Sequence, residues 1–227
     1  MHDKPVILLF IKAPLRGSVK SRLATAIGTD AALELYQCFV LDAVDAMGAL
    51  TIPLRICCYP QDAVSTIRAW LGSERAYMPQ QGNGLGERME NAFEQIFQEG
   101  YERATLIGSD IPELSTALMY EAMAALDSHD AVIGPAADGG YYLIGFTAKT
   151  FVPSVFHDIA WSTNTVCRET LSRLKQMGKR VHLLPELRDI DTQADLHVFF
   201  KQHRSENSKP TRALAYLAEH GERLFQA

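Results

Sequence analysis

The segment Lys12-Ala-Pro-Leu-Arg-Gly-Ser-Val-Lys-Ser-Arg22 carries four basic residues, Lys12, Arg16, Lys20 and Arg22, and no acid. Gly17 permits close backbone approach, and basic side chains ahead of a helix start form a phosphate cradle. The alternative is a solvated basic loop; the G-x-x-x-x-G-K-[ST] order of a Walker A loop is absent. Three acid-bearing segments follow. Gly108-Ser-Asp-Ile-Pro112 presents Asp110, a carboxylate suited to Mg²⁺ or Mn²⁺, or else to capping a turn. Pro135-Ala-Ala-Asp-Gly-Gly-Tyr-Tyr142 sets Asp138 beside paired glycines and two aromatics, which fits a tight turn with close ligand approach. A plain Gly-Gly hairpin turn explains the glycines but not the aromatics. In Asp189-Ile-Asp-Thr192, acids at i and i+2 of an extended chain point the same way and can share a cation. Thr192 with Asp195 fits a capping box, and Asp191 is a candidate N-cap. Gln81-Gly-Asn-Gly-Leu-Gly86 precedes a helix; Gly84 and Gly86 fit a plain turn and a base- or ribose-contacting loop about equally, because the spacing is not G-x-G-x-x-G.

Positioning such residues requires strands that end where the chemistry begins. Val6–Ile11 is a nearly unbroken apolar run, the mark of a strand covered on both faces. Leu54–Tyr59, Ala104–Gly108, Ala131–Gly134 and Val181–Leu184 read the same way. Helical spacing separates them: Tyr36, Phe39, Val40, Ala43 and Met47; Met89, Phe93, Ile96 and Phe97; Val166, Leu171 and Leu174. Gly48, Gly72, Gly100 and Gly178 stand where these patterns stop, as helix C-caps do. Alternating strands and helices predict a mostly parallel sheet with helices on both sides. Tyr141–Phe146 follows its predecessor too closely for a crossover helix, so it is expected to run antiparallel and make the sheet mixed. In open α/β sheets ligands bind beyond the carboxyl ends of the strands, where the basic loop and the acids fall.

The chain has 227 residues, enough for one domain with a large core. Apolar residues make up 47% and charged residues 22%, a globular rather than disordered composition. A net charge of −5 argues against a general nucleic-acid binder. The four cysteines, Cys38, Cys57, Cys58 and Cys167, form no C-x-x-C and read as free thiols of a reducing compartment. No stretch approaches the ~20 apolar residues of a membrane span, and the first apolar run is too short for a signal peptide. The expectation is a cytoplasmic protein. The seven histidines contain no H-x-x-x-H pair for zinc, and G-x-S-x-G is absent. Residues 1–200 are expected to form the domain, and residues 201–227 a polar linker and a C-terminal helical appendage marked by Leu214, Leu217 and Leu224.

Phe10-Ile-Lys-Ala-Pro14, Gly17-Ser-Val-Lys-Ser-Arg-Leu23, Gly108-Ser-Asp-Ile-Pro112, Gly134-Pro-Ala-Ala-Asp-Gly-Gly-Tyr-Tyr142, Trp161-Ser-Thr163 and Asp189-Ile-Asp-Thr192 occur in that order. As a set they resemble a family of small bacterial GT-A-fold glycosyltransferases, linked in part to arsenosugar biosynthesis, over roughly residues 5 to 200. More distantly the chain is similar to the phospholactate and molybdenum-cofactor guanylyltransferase families. The resemblance implies a three-layer α/β/α Rossmann-like GT-A fold and a transferase of the nucleotide-diphospho-sugar type. It implies that Lys20 and Arg22 contact a diphosphate, that Asp110 is the metal-binding acid, and that Asp191 with Asp189 forms the second acidic position. Trp161 and Tyr141 would line the acceptor side. The DxD motif is reduced here to Ser109–Asp110, and the Gly82–Gly86 loop lacks an acid that relatives carry.

Three functions stay open. The first is glycosyl transfer from a nucleotide-diphosphate sugar to a small acceptor, assisted by Mg²⁺ or Mn²⁺, with Asp138 as candidate general base. The second is nucleotidyl transfer to a phosphorylated metabolite. The third is non-catalytic binding of a nucleotide sugar.

Overall fold

The computed structural model describes residues 4–204 and 211–225. In chain order the elements are β1 (Pro5–Lys12), α1 (Ser21–Ile27), α2 (Thr29–Gly48), β2 (Leu54–Tyr59), α3 (Val64–Leu71), β3 (Ala76–Pro79), α4 (Leu85–Gln98), β4 (Arg103–Ile107) and α5 (Thr116–Ala125). There follow β5 (Ala131–Pro135), β6 (Tyr141–Thr147), α6 (Val166–Gln176), β7 (Val181–Leu183), α7 (Gln193–His203) and α8 (Arg212–Phe225).

The strands form one seven-stranded sheet in the order β3-β2-β1-β4-β6-β5-β7. Only β6 is antiparallel, to β4 and β5, which places the reversed strand where the short turn required it. Val6, Ile7, Leu8 and Leu9 are all fully buried, so both faces of β1 are covered. Alternation sorts them. Ile7, Leu9 and Ile11 join a core with α2, α3 and α5, while Val6 and Leu8 join a second core with α4 and α6. A third cluster, around Leu23, Phe39, Phe199 and Leu217, packs α8 onto α2 and α7. Asp42 accepts hydrogen bonds from the backbone N–H groups of Arg212 and Ala213, fixing the start of α8.

The sequence pattern yields six strands; β3 is the seventh, a four-residue edge strand parallel to β2. Gly72 caps α3, and Gly100 and Gly178 adopt the left-handed backbone just past α4 and α6. Gly48 instead closes α2 itself, with Ala49 as the cap. The N-cap of α7 is Thr192, not Asp191; Thr192 and Asp195 complete the capping box and leave the Asp191 side chain free for other partners. The polar stretch expected as a linker divides: Lys201–His203 belongs to α7, and residues 205–210 lie outside the described residues.

Candidate functional site

Beyond the carboxyl ends of β1, β4 and β5 lies a cavity of about 970 Å³, within the size range of small-molecule sites. Lys12, Lys20, Arg22, Asp110, Asp138, Asp189, Asp191, Tyr141 and Trp161 all line it. Arg16, Gly17, Gly84 and Gly86 do not. Arg16 pairs with Asp30 on the surface, and both side chains are exposed.

Lys20 organises the floor. It is the residue before α1, in a left-handed conformation with φ 48° that non-glycine residues rarely adopt. Its side chain is only 3% exposed, and Nζ lies 3.0 Å from both Asp110 Oδ1 and Asp191 Oδ1. Nζ also donates to the Ile190 carbonyl at 2.6 Å. Burial disfavours the ammonium, but Asp110 and Asp191 outweigh it and raise its pKa above the ordinary lysine value. Arg22 donates to the second oxygen of Asp191. Burial pushes the Asp191 pKa up, yet Lys20 and Arg22 prevail and hold it below the usual carboxylate range. The sequence-based expectation placed Lys20 and Arg22 on a diphosphate; the structure places both on carboxylates. The backbone reinforces this junction, because Ile190 N–H donates to the Asp110 carbonyl at 3.1 Å and draws the segment before α7 onto the end of β4.

Asp189 and Asp138 sit on the other side of this knot with no basic partner among the described residues. Asp138 is exposed, and its Oδ1 accepts from Gly140 N–H at 2.8 Å in an Asx turn. Asp189 is pushed up to about 6, first by burial and then by the neighbouring charges of Asp138 and Asp191. A carboxyl group raised in the folded state favours folding fully below its unfolded pKa of about 3.9, and that contribution fades as pH rises through about 6. Asp189→Asn is therefore expected to match wild type near pH 4 and to exceed it near pH 8 by about 1–2 kcal/mol, discounted for partial solvent screening. Thermal unfolding at both pH values, without added divalent cation, checks this; an unchanged gap contradicts it.

The acids offer hard oxygen donors, the ligand type that Mg²⁺ and Mn²⁺ take, although Lys20 Nζ already lies between Asp110 and Asp191. Four carboxylates, Asp110, Asp138, Asp189 and Asp191, line the cavity with four basic residues, Lys12, Lys20, Arg22 and Arg88, of which Lys20 and Arg22 pair with Asp110 and Asp191. No group of three or more His, Cys, Asp or Glu among the described residues is placed to hold a metal ion. Mg²⁺ and Mn²⁺ do not require one, since one or two carboxylates with water and substrate phosphates complete their shells.

The aromatic wall joins the start of β6 to the segment before α6. Trp161 meets Tyr141 edge to face at 6.5 Å. A Cβ on Gly86 would lie 2.7 Å from Trp161 Nε1, so this glycine makes room for the indole. Burial pushes the Tyr141 phenol well above its ordinary pKa, and its OH points at Met89 Sδ, 3.8 Å away. Tyr141 thus presents ring surface rather than a reactive hydroxyl.

Three lining residues were not singled out in the sequence. Tyr36 accepts from Lys12 N–H at 2.7 Å and donates to the Lys12 carbonyl at 2.9 Å, clamping the end of β1. Buried Gln80 donates through Nε2 to the carbonyls of Cys57 and Ile11. Arg88 rests its guanidinium 4.1 Å over the Tyr59 ring. Its sequence signal was a cation in the first turn of a helix, where the helix dipole disfavours positive charge.

Fold and cavity together place the molecule among α/β proteins of the nucleotide-diphospho-sugar transferase fold. The chain belongs to the DUF2064 family, described as "Uncharacterized protein conserved in bacteria", which matches residues 41–163. It is 38% identical to a "putative nucleotide-diphospho-sugar transferase" from Desulfovibrio desulfuricans G20, covering 99% of this chain and 98% of that one with a TM-score of 0.94. The 4-diphosphocytidyl-2C-methyl-D-erythritol synthase of Anaerococcus prevotii DSM 20548 shares the fold at 13% identity and a TM-score of 0.58, over 95% of this chain and 96% of that one. So does Rv0371c of Mycobacterium tuberculosis H37Rv, determined in complex with manganese, at 14% identity and a TM-score of 0.52, over 87% and 98%. No curated protein matches by sequence. Among the described residues, no helix is long and apolar enough to cross a membrane.

Proposed function

We propose that this protein is a cytoplasmic transferase that moves a sugar from a nucleotide-diphosphate donor to a small acceptor, assisted by Mg²⁺ or Mn²⁺. The observation that carries the reading is the convergence of Asp110, Asp138, Asp189 and Asp191 with Lys12, Lys20 and Arg22 on one cavity at the carboxyl edge of the sheet. The relative from Desulfovibrio supports it by its name, and the manganese complex of Rv0371c supports the choice of metal.

Asp110 and Asp189 would hold the cation together with water and substrate phosphates, while both oxygens of Asp191 are engaged by Lys20 and Arg22. When bound, a divalent cation supplies Lewis-acid stabilisation of the charge that builds on a leaving diphosphate. Asp138, exposed and anchored through one oxygen, accepts the acceptor hydroxyl's proton on the other. Trp161 and Tyr141 form an apolar wall for the acceptor.

The fold shared with a 4-diphosphocytidyl-2C-methyl-D-erythritol synthase supports a second reading, attack of a phosphorylated metabolite on a nucleoside triphosphate. The two reactions release different products. Incubation with nucleotide sugars or triphosphates, Mn²⁺ and an acceptor panel is expected to release nucleoside diphosphate; release of pyrophosphate selects the second reading. Nucleotide binding with neither product over the whole panel leaves a non-catalytic nucleotide-sugar-binding protein.

A further inference from the structure

A diphosphate brings several negative charges, yet most cations of the basic loop are already engaged. Arg16 is on Asp30, Lys20 on Asp110 and Asp191, and Arg22 on Asp191. Of the basic residues lining the cavity, Lys12 and Arg88 alone have no carboxylate partner among the described residues. Lys12 closes β1, and its backbone is held by Tyr36. Arg88 stands in the first turn of α4, half-buried, with its guanidinium on the Tyr59 ring. Its Nε is out of solvent with no acceptor. Burial lowers its pKa from the ordinary arginine value, the sign expected where a cation is desolvated without a counter-ion.

Each of these features carries a cost without a ligand. A cation opposes the dipole at a helix start, and an unpaired buried donor loses its water. An oxyanion offsets both, and it would also gain from the backbone N–H groups at the start of α4. The acids at the opposite side of the cavity repel an anion toward this end.

We propose that Arg88, with Lys12 beside it, binds the phosphate oxygens of the nucleotide substrate, the Tyr59 ring holding the guanidinium in place. This rests on the nucleotide reading above. It moves the phosphate contact from the loop before α1, where the motifs had put it, to the β2–α4 side of the cavity.

The test is calorimetric titration of wild type, Arg88→Gln and Arg88→Lys with ADP, CDP, GDP and UDP and their parent nucleosides, with Mn²⁺ present. The diphosphate that wild type binds best is expected to lose roughly tenfold or more in affinity for Arg88→Gln, with nucleoside affinity unchanged. Arg88→Lys restores part of the loss, because it keeps the charge but not the planar fork, and it carries the test should Arg88→Gln fail to fold. Unchanged diphosphate affinity in Arg88→Gln overturns the assignment and leaves the nucleotide reading standing. Equal loss for diphosphate and nucleoside also overturns it, since Arg88 would then hold the base or the cavity's shape. Binding of none of the diphosphates to wild type overturns the reading and the assignment together.

Discussion

Lys20→Ala is expected to destabilise the protein by about 2–4 kcal/mol at neutral pH. Removing one member of a buried ion pair typically costs about 3–5 kcal/mol, because the partner keeps its desolvation cost without its counter-charge. Lys20 serves two carboxylates and a carbonyl from a side chain 3% exposed. The Asp110 side chain is 45% exposed and can regain water, which trims the figure. Asp191 keeps Arg22 as its one basic partner among the described residues. For a chain of this length the loss corresponds to a fall in Tm of about 5–12 °C. The pH dependence has a definite sign. Asp191 is held low in the folded state, so its contribution is present above the unfolded carboxylate pKa and fades as pH falls through the lower folded value. The gap between variant and wild type should therefore narrow in acid. Denaturant unfolding at neutral and acidic pH measures it; a loss below about 1 kcal/mol at pH 7 would mean Lys20 is an ordinary surface lysine.

Gly139→Ala should be as damaging for a different reason. Gly139 has φ +90°, and a Cβ there would lie 2.2 Å from the Asn164 carbonyl oxygen, a contact with backbone that no rotamer relieves. Its own carbonyl accepts from Cys167 N–H at 2.9 Å, tying the Asp138 turn to the start of α6. Left-handed strain and forced overpacking each cost about 1–3 kcal/mol, so about 3 kcal/mol is expected, with lost turnover as Asp138 and the Trp161 loop are pushed apart. Gly178→Ala is the matched control. It has φ +70° but open space around its Cβ, so it isolates the backbone strain at about 1 kcal/mol. Equal losses in the two variants would show that the turn does not need the close approach to Asn164.

What was legible in the sequence follows from what each signal measures. Apolar runs report burial on both faces, so the central strands and the reversed β6 stand out. β3 does not, because Ala76–Pro79 is four residues ending in proline and exists through its pairing with β2. The acids were found because each follows an apolar run at a strand end. Their partners were not. Lys20 and Asp191 lie 171 positions apart, and only the fold shows that the basic loop neutralises the acids. Gly86 resembled part of a ligand loop, whereas its lack of a side chain makes room for Trp161. Arg88 and Gln80 gain their meaning from burial at the cavity wall, which local pattern does not encode.

The central claim is that this cavity binds a nucleotide diphosphate together with a divalent cation. Thermal unfolding of wild-type protein with nucleoside triphosphates, diphosphates and nucleotide sugars, each with and without Mn²⁺, tests it most directly. A ligand at about 100 times its dissociation constant stabilises the fold by about 2.7 kcal/mol, a Tm rise of several degrees. The account predicts that at least one nucleotide-diphosphate sugar gives such a rise and that Mn²⁺ enlarges it. No rise with any nucleotide, in either condition, would contradict it.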